Sequence, residues 1–79
     1  MTPTIWREKG WRFFFFSREE PRAHVHVSCE DGEAKFWLDP DVELARNHGL
    51  SRVQLRDIEK IVEANHERFR NEWQKHLGS

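Results

Sequence analysis

Two histidines separated by one residue, His24 and His26, are the most chemically suggestive pair in this 79-residue chain. Residues two apart on a β-strand point to the same side, so both imidazoles would face one space. With an oxygen ligand from Glu33, or from Asp39 lying opposite His24, the two rings could bind one metal ion. They could instead transfer protons during phosphodiester cleavage, with Lys35 stabilising the phosphate charge.

A structural interpretation of the same histidines needs no chemistry. Solvated imidazoles on a strand pack readily against the side chains of a neighbouring strand. The sequence also contains no glycine-rich phosphate loop, nucleophile elbow, paired-cysteine motif or metalloprotease helix motif. We therefore predict no cofactor and assign no metal ligand or catalytic residue firmly, while His24, His26 and Lys35 stay as catalytic candidates.

The elements that position these residues begin with a strand-rich half, residues 4–39. Its β-prone runs, separated by Gly10 and by Asp31-Gly32, predict four antiparallel strands in two hairpins. With Asp31-Gly32 as the second turn, His26 faces Trp37 across the hairpin. Alternation then places one apolar set on the side that helices would cover: Val25, Val27, Cys29, Ala34, Phe36 and Leu38.

The second half, residues 40–77, is predicted to be helical. Asp39-Pro40 has the features of a helix start and Gly49 those of a helix end, which predicts a short first helix. Ser51 and Gln54 form a capping box that begins a second helix of about 25 residues, judged from its 3.6-residue apolar period. All 79 residues are thus predicted to form a single α+β domain, a four-stranded sheet followed by a short and a long helix.

Aromatic rings are predicted on the side of the sheet that the helices leave open. Alternation assigns five rings to this side: Trp6, Trp11, Phe13, Phe15 and Trp37. If the first hairpin is inverted, Phe14 and Phe16 are the exposed pair instead. So many large rings are unusual on a solvated surface, and we predict a binding face, extended by Phe69 and Trp73 of the long helix. The expected assembly is a homodimer or a heterocomplex.

Composition limits the classes of function. Aromatic residues make up 13% of the chain, which is typical of a folded domain. The longest apolar run, residues 13–16, is too short to cross a membrane. A lone cysteine, Cys29, and no visible secretion signal predict a cytoplasmic location. The formal net charge of -1 supplies no general attraction to nucleic acid, so charge does not support such a partner.

Several segments resemble a family of small bacterial proteins known as domain of unknown function 4160. The similar segments cover most of the chain: Pro3–Ile5, Arg12–Ser17, His24–Val27, Gly32–Leu38, Asn47–Ser51 and Leu55–Glu63. The family usually has two prolines directly before the first histidine, where this chain has Arg22-Ala23. Members are often encoded beside a second small protein in toxin–antitoxin-like pairs, so the resemblance implies a partner from a neighbouring gene. It transfers no catalytic residues.

These observations predict a small cytosolic protein–protein interaction module, a component of a toxin–antitoxin-like pair. An enzyme alternative is an RNA-directed nuclease toxin that uses His24, His26 and Lys35. A third alternative is a DNA-binding regulator, because a short helix, Gly49 and a longer helix together resemble a helix-turn-helix. Since both histidines are placed outside the main core, replacing both by alanine is expected to leave the fold intact.

Overall fold

The computed structural model describes residues 4–16 and 21–78. Five strands precede two helices: β1 (Thr4–Glu8), β2 (Trp11–Phe14), β3 (His24–Cys29), β4 (Gly32–Trp37), β5 (Glu43–His48), α1 (Arg52–Ala64) and α2 (His66–Gly78). All strand pairs are antiparallel, and the sheet has the order β1-β2-β3-β4-β5. The α+β class is therefore confirmed, with five strands in the described residues where four were predicted.

The first hairpin turns at Lys9 and Gly10, which have φ angles of 51° and 84°. Two successive residues with positive φ make a tight turn that matches the twist of the flanking strands. Glu8 and Trp11 are the strand partners next to this turn. The turn predicted at Gly10 is thus confirmed.

The second hairpin forms, but its register differs from the predicted one by two residues. His26 pairs with Lys35 instead of Trp37, because the turn consists of Glu30-Asp31 and not of Asp31-Gly32. A shift of two residues keeps every side chain on the same face, since the side-chain period of a strand is also two. The predicted apolar face is therefore correct although the predicted partners are wrong.

Gly32 lies in β4, where it allows β5 to approach closely. A Cβ atom at this position would collide with the backbone oxygen of His48. The glycine that suggested a turn is thus required for strand packing, a role that a sequence pattern does not distinguish from a turn.

Residues 40–49, predicted as a short helix, instead contain strand β5. This strand pairs with β4, and Trp37 lies opposite Glu43 while Glu33 lies opposite His48. Without β5, the outer edge of β4 would expose a row of unpaired backbone N–H and C=O groups. Pairing across the sheet therefore outweighs the local capping signal that predicted the helix.

The chain reverses from β5 into α1 through a turn held by Asn47. Its Oδ1 accepts a hydrogen bond from the Leu50 N–H at 3.1 Å, and its Nδ2 donates to the Leu50 oxygen at 3.0 Å. Gly49 has a φ of 84°, the left-handed conformation that glycine adopts where helices end, although here it follows a strand. The Ser51 Oγ then accepts from the Gln54 N–H at 3.1 Å, which confirms the predicted capping box at the start of α1.

The predicted long helix is present as two helices of 13 residues each, separated at Asn65. The Nδ2 atom of Asn65 donates to the Ile61 oxygen at 2.8 Å. Asparagine side chains compete for backbone groups in this way and interrupt helices. The interruption lets Phe69 and Trp73 of α2 pack into the core, where both rings are buried. The prediction that they extend toward a partner is therefore wrong.

The first hairpin presents the opposite face from the one predicted. Phe13 lies opposite Val27, so it belongs to the helix-covered side of the sheet. Phe14 lies opposite His26, so it belongs to the open side. The inverted alternative holds in part, because Phe16 is 40% exposed whereas Phe14 is buried.

The main core lies between the sheet and the two helices. Two ring contacts join them: Phe13 lies 5.5 Å from Phe69, and Phe15 lies 5.2 Å from Trp73, measured between ring centroids. The other buried members of this core are Trp11, Val25, Val27, Ala34, Phe36, Leu38, Leu50, Ile58, Ile61 and Val62. This core therefore contains most of the large apolar side chains of the described residues.

Candidate functional site

The open side of the sheet carries the histidines, and we call it the histidine face. Its described members, taken from strand pairing and ring contacts, include Arg12, Phe14, Phe16, Arg22, His24, His26, Ser28, Glu33, Lys35, Trp37, Glu43, Arg46 and His48. The three catalytic candidates lie together here, because β3 and β4 are neighbours in the sheet. The structure thus brings them together as the alternation of the strands predicts.

His24 is fully buried, at 0% exposure. Its Nδ1 donates a hydrogen bond to the Arg22 oxygen at 2.7 Å. The ring lies 4.8 Å from the Trp73 ring and 5.8 Å from the Trp37 ring. This arrangement leaves no solvent-facing side on which a substrate could meet the imidazole, so His24 has the position of a packing residue.

His26 is half-buried between two phenylalanines. Its ring stacks on Phe14 at 5.6 Å and contacts Phe16 edge-on at 4.4 Å. Aromatic pairs of this kind stabilise a fold beyond the area that they bury. The strand spacing that suggested a reactive pair thus also serves the packing of β2 against β3.

Lys35 is nearly buried, at 5% exposure, and lies opposite His26. Its Nζ atom lies 4.6 Å from the centroid of the Trp37 ring. The guanidinium of Arg22 contacts the same ring at 4.3 Å. Two cations against one indole form a cation–π arrangement, which is stronger where water is excluded.

Arg22 occupies one of the two positions at which the resemblance noted in the sequence implies proline. Its Nε donates to the Asp39 oxygen at 2.8 Å, and its Nη2 lies 3.7 Å from the Glu43 Oε1. A proline at this position would have neither the stacking group nor these donors. Arg22 therefore connects the segment that precedes β3 to Trp37 and to Glu43 of β5.

The candidate metal ligands do not form a complete site, although the His24 and His26 rings lie 5.2 Å apart. His24 pairs with Trp37 and not with Asp39, whose carboxylate lies 3.6 Å from Arg70. Across residues 4–16 and 21–78, no group of three or more histidine, cysteine or acidic side chains is placed to hold a metal ion. A cavity of about 120 Å³ on this face is instead lined mostly by nitrogen-bearing side chains: His26, Lys35, Arg46 and His48, with Glu33.

Most of the predicted binding rings lie in the core and not on the open face. Five of them are buried in the core between the sheet and the helices: Trp11, Phe13, Phe15, Phe69 and Trp73. For the rings of the first hairpin, the pairing of β2 with β3 determines which side of the sheet they face. Trp6 is half-buried, and the Arg68 guanidinium lies 4.6 Å from the centroid of the Trp6 ring. Among the seven rings first predicted to bind a partner, Trp37 alone lies on the histidine face, together with the alternative pair Phe14 and Phe16.

A surface that the sequence interpretation missed lies beside β5. All six residues of this edge strand are exposed. Between β5 and α1 lies a groove of about 210 Å³, lined by Phe36, Leu44, Arg52, Leu55, Arg56 and Glu59. The apolar spacing of Val42 and Leu44, two residues apart, was the signal for a strand here.

A meander sheet with two helices on one side defines a small α+β domain. The chain belongs to the family called domain of unknown function DUF4160, whose model matches residues 10–74. The resemblance noted in the sequence is therefore confirmed. No curated protein and no solved structure matches the chain. Neither helix within the described residues has the length and apolar character needed to span a membrane.

Proposed function

We propose that this domain is a protein–protein interaction module whose partner is a second small protein encoded by a neighbouring gene, as in toxin–antitoxin pairs. The observation that carries the proposal is the exposure of all six residues of the edge strand β5. An open edge offers backbone N–H and C=O groups to a strand of another chain. The gene arrangement implied by the family resemblance supports the same conclusion.

The two edges of the sheet differ in a way that favours β5. In β1, Ile5 and Trp6 pack against the core, and Arg68 covers the Trp6 ring. In β5 all six residues are exposed, whereas Ile5, Trp6 and Glu8 of β1 are half-buried. The register shift next to Lys35 bends β5, and bends and charges at an edge limit indiscriminate pairing. The β5 edge is thus suited to a selective partner.

The enzyme and DNA-binding alternatives have less support. A nuclease that uses His24 and Lys35 needs both side chains to reach substrate, and both are buried. A helix-turn-helix needs two helices around Gly49, and a strand precedes this glycine. At the start of α1, where a recognition helix would contact bases, Ser51 and Gln54 are engaged in the helix cap and Arg52 alone of the first polar residues is not.

Co-expression of the chain with the protein from its neighbouring gene tests the proposal. We expect a stable complex in size-exclusion chromatography with light scattering, and a change in growth that depends on which of the two genes is present. A chain that stays monomeric, with no co-purifying neighbour, would contradict the proposal. Cleavage of RNA by the purified chain would favour the nuclease instead.

A further inference from the structure

The cavity of about 120 Å³ on the histidine face brings three kinds of side chain around one space. Among the described residues, its lining includes one carboxylate, that of Glu33, and one phenyl ring, that of Phe16. The remaining functional side chains all carry nitrogen: His26, Lys35, Arg46 and His48. A ligand that fits this space therefore has to interact with cations, with a carboxylate and with a ring.

Strand pairing brings the nitrogen-bearing side chains together. Lys35 of β4 lies opposite His26 of β3 on one side and opposite Arg46 of β5 on the other, so the three form a row across the sheet. His48 follows two residues after Arg46, and both are exposed. Guanidinium and ammonium groups bind phosphate oxygens through charge-assisted hydrogen bonds, and imidazoles contribute further donors. The row therefore has the chemistry of a site for a phosphate group.

The carboxylates of this face narrow the choice of ligand. Glu43 lies on the same side of β5 as Arg46, but its Oε1 lies 3.7 Å from the Arg22 Nη2 and it does not line the cavity. Glu33 does line the cavity and offsets part of the positive charge there. A bare anion or an acidic peptide gains nothing from this carboxylate, whereas a ribose hydroxyl donates a hydrogen bond to it. Glu33 therefore favours a phosphate that carries a sugar.

Phe16 supplies an aromatic surface at the same cavity. Its ring is 40% exposed, whereas the Phe14 ring, 5.3 Å away, is buried. An exposed ring beside cations is a surface on which a nucleobase stacks. The cavity is far smaller than the roughly 300–1,000 Å³ of sites that enclose a whole small molecule. Only the phosphate would therefore enter it, with the base outside on the ring.

We propose that this cavity binds a ribonucleotide. The phosphate lies among Lys35, Arg46 and His48. The ribose hydroxyls donate to Glu33, and the base stacks on Phe16. This site goes beyond the proposed function, because it lies on the face of the sheet and leaves the backbone edge of β5 open to a strand of a partner protein.

Isothermal titration calorimetry of the full chain with adenosine monophosphate tests the proposal. We expect saturable binding, and an affinity lower by about tenfold or more for adenosine and for inorganic phosphate, because each lacks part of the contacts. The 2′-deoxy nucleotide, which lacks one hydroxyl for Glu33, should bind about threefold or more weakly than the ribonucleotide. Absence of binding at about 1 mM nucleotide would overturn the proposal, as would equal affinities for the nucleotide and inorganic phosphate.

A pair of arginine variants tests the phosphate position. Arg46→Gln should weaken binding of adenosine monophosphate by about tenfold, because it removes a charged donor from the cavity. The control, Arg52→Gln, makes the same change in net charge at an exposed arginine outside the cavity and should alter the affinity by less than about twofold. Equal losses in the two variants would mean a general electrostatic attraction and would overturn the proposal. Circular dichroism checks that both variants fold.

Two further variants test the ribose and base positions, and both change exposed residues. Glu33→Ala should remove the difference between the ribonucleotide and its 2′-deoxy form, and should strengthen binding of inorganic phosphate because a negative charge is lost. Phe16→Leu should weaken binding of the nucleotide but leave that of inorganic phosphate unchanged. Retention of the ribose preference in Glu33→Ala, or an unchanged nucleotide affinity in Phe16→Leu, would contradict the corresponding assignment.

A 5′-phosphorylated RNA of three adenosines identifies the source of the nucleotide. An affinity about tenfold or more above that of adenosine monophosphate supports the site as one for RNA, and an equal affinity supports it as one for the free nucleotide. In either case Arg46→Gln should weaken binding, and an unchanged affinity in this variant would overturn the proposal. These measurements use the chain alone, so their failure leaves the proposed protein partner untouched.

Discussion

The two sides of the sheet are both packed, but by different kinds of side chain. On the helix-covered side, Phe13 and Phe69 are fully buried and meet other apolar groups. On the histidine face, the described members with the least exposure include His24 and Lys35, which meet aromatic rings. One side thus depends on the burial of apolar area, the other on amphipathic side chains whose ring or stem packs against aromatic groups.

This difference explains why reactive residue types need not indicate a reactive site. A small domain has too few helices to cover both sides of a five-stranded sheet. Imidazole and lysine side chains close the second side because each has an apolar part and a polar end. A His-x-His strand in such a domain is therefore compatible with a structural role, and burial distinguishes this role from catalysis.

The largest effect is expected on the helix-covered side. Phe69→Ala removes a fully buried ring that lies 5.5 Å from Phe13. Such a truncation costs about 3–5 kcal/mol, against a total stability of about 4–12 kcal/mol for a chain of this size. Urea denaturation followed by circular dichroism should show a largely destabilised variant. A loss below about 1 kcal/mol would mean that α2 contributes little to this core.

A smaller loss is expected from His24→Ala on the histidine face. The change leaves a cavity between Trp37 and Trp73 and removes the donor that the Arg22 oxygen uses. We expect a loss of about 2 kcal/mol in the free energy of unfolding. The expectation that replacing both histidines leaves the fold intact stays a prediction, but its premise fails for His24, which is fully buried.

The half-buried His26 provides the matched comparison for this second prediction. His26→Ala should cost less than His24→Ala, because the His26 ring is partly solvated. Equal urea midpoints for the two variants would remove the distinction between a buried and a half-buried histidine.

A substitution at Ser51, the N-cap of α1, is expected to lower stability through the helix-covered side of the sheet alone. Ser51→Ala removes the oxygen that accepts from the Gln54 N–H at the start of α1. The expected cost is about 1 kcal/mol. Thermal unfolding should detect it, and Ser51→Asp should restore most of the lost stability because aspartate is an equally good cap. Failure of this rescue would assign the effect of Ser51→Ala to something other than capping.

The smallest effect is expected from Arg22→Ala. The guanidinium contacts the Trp37 ring at 4.3 Å, but 42% of the side chain is exposed to solvent. We expect a loss of about 0.5–1 kcal/mol, typical of an exposed cation–π contact. Trp37 fluorescence would be a poor reporter because the chain has four tryptophans. Urea denaturation by circular dichroism is therefore the suitable measurement, with Arg22→Lys as the variant that keeps the charge.

Features that depend on neighbouring residues could be predicted from the sequence alone. The turn at Lys9-Gly10 follows from a glycine between two strands. The capping box of Ser51 and Gln54 spans three residues. The apolar face of β3 and β4, with Val25 and Phe36, follows from strict alternation and survives a register shift of two. These features are set by residues close together in the chain, and the tertiary structure leaves them unopposed.

Features that depend on residues far apart in the chain were set by tertiary contacts. Residues 43–48 form a strand because the edge of β4 is there to pair with them. Phe13 faces the helices because its strand pairs with Val27 of β3, a neighbour that no local pattern specifies. His24 is buried because Trp73 of α2 reaches it. In each case, strand pairing and burial outweigh local propensity. The reason is that a buried backbone or side-chain group needs a partner, and here that partner comes from a distant part of the chain.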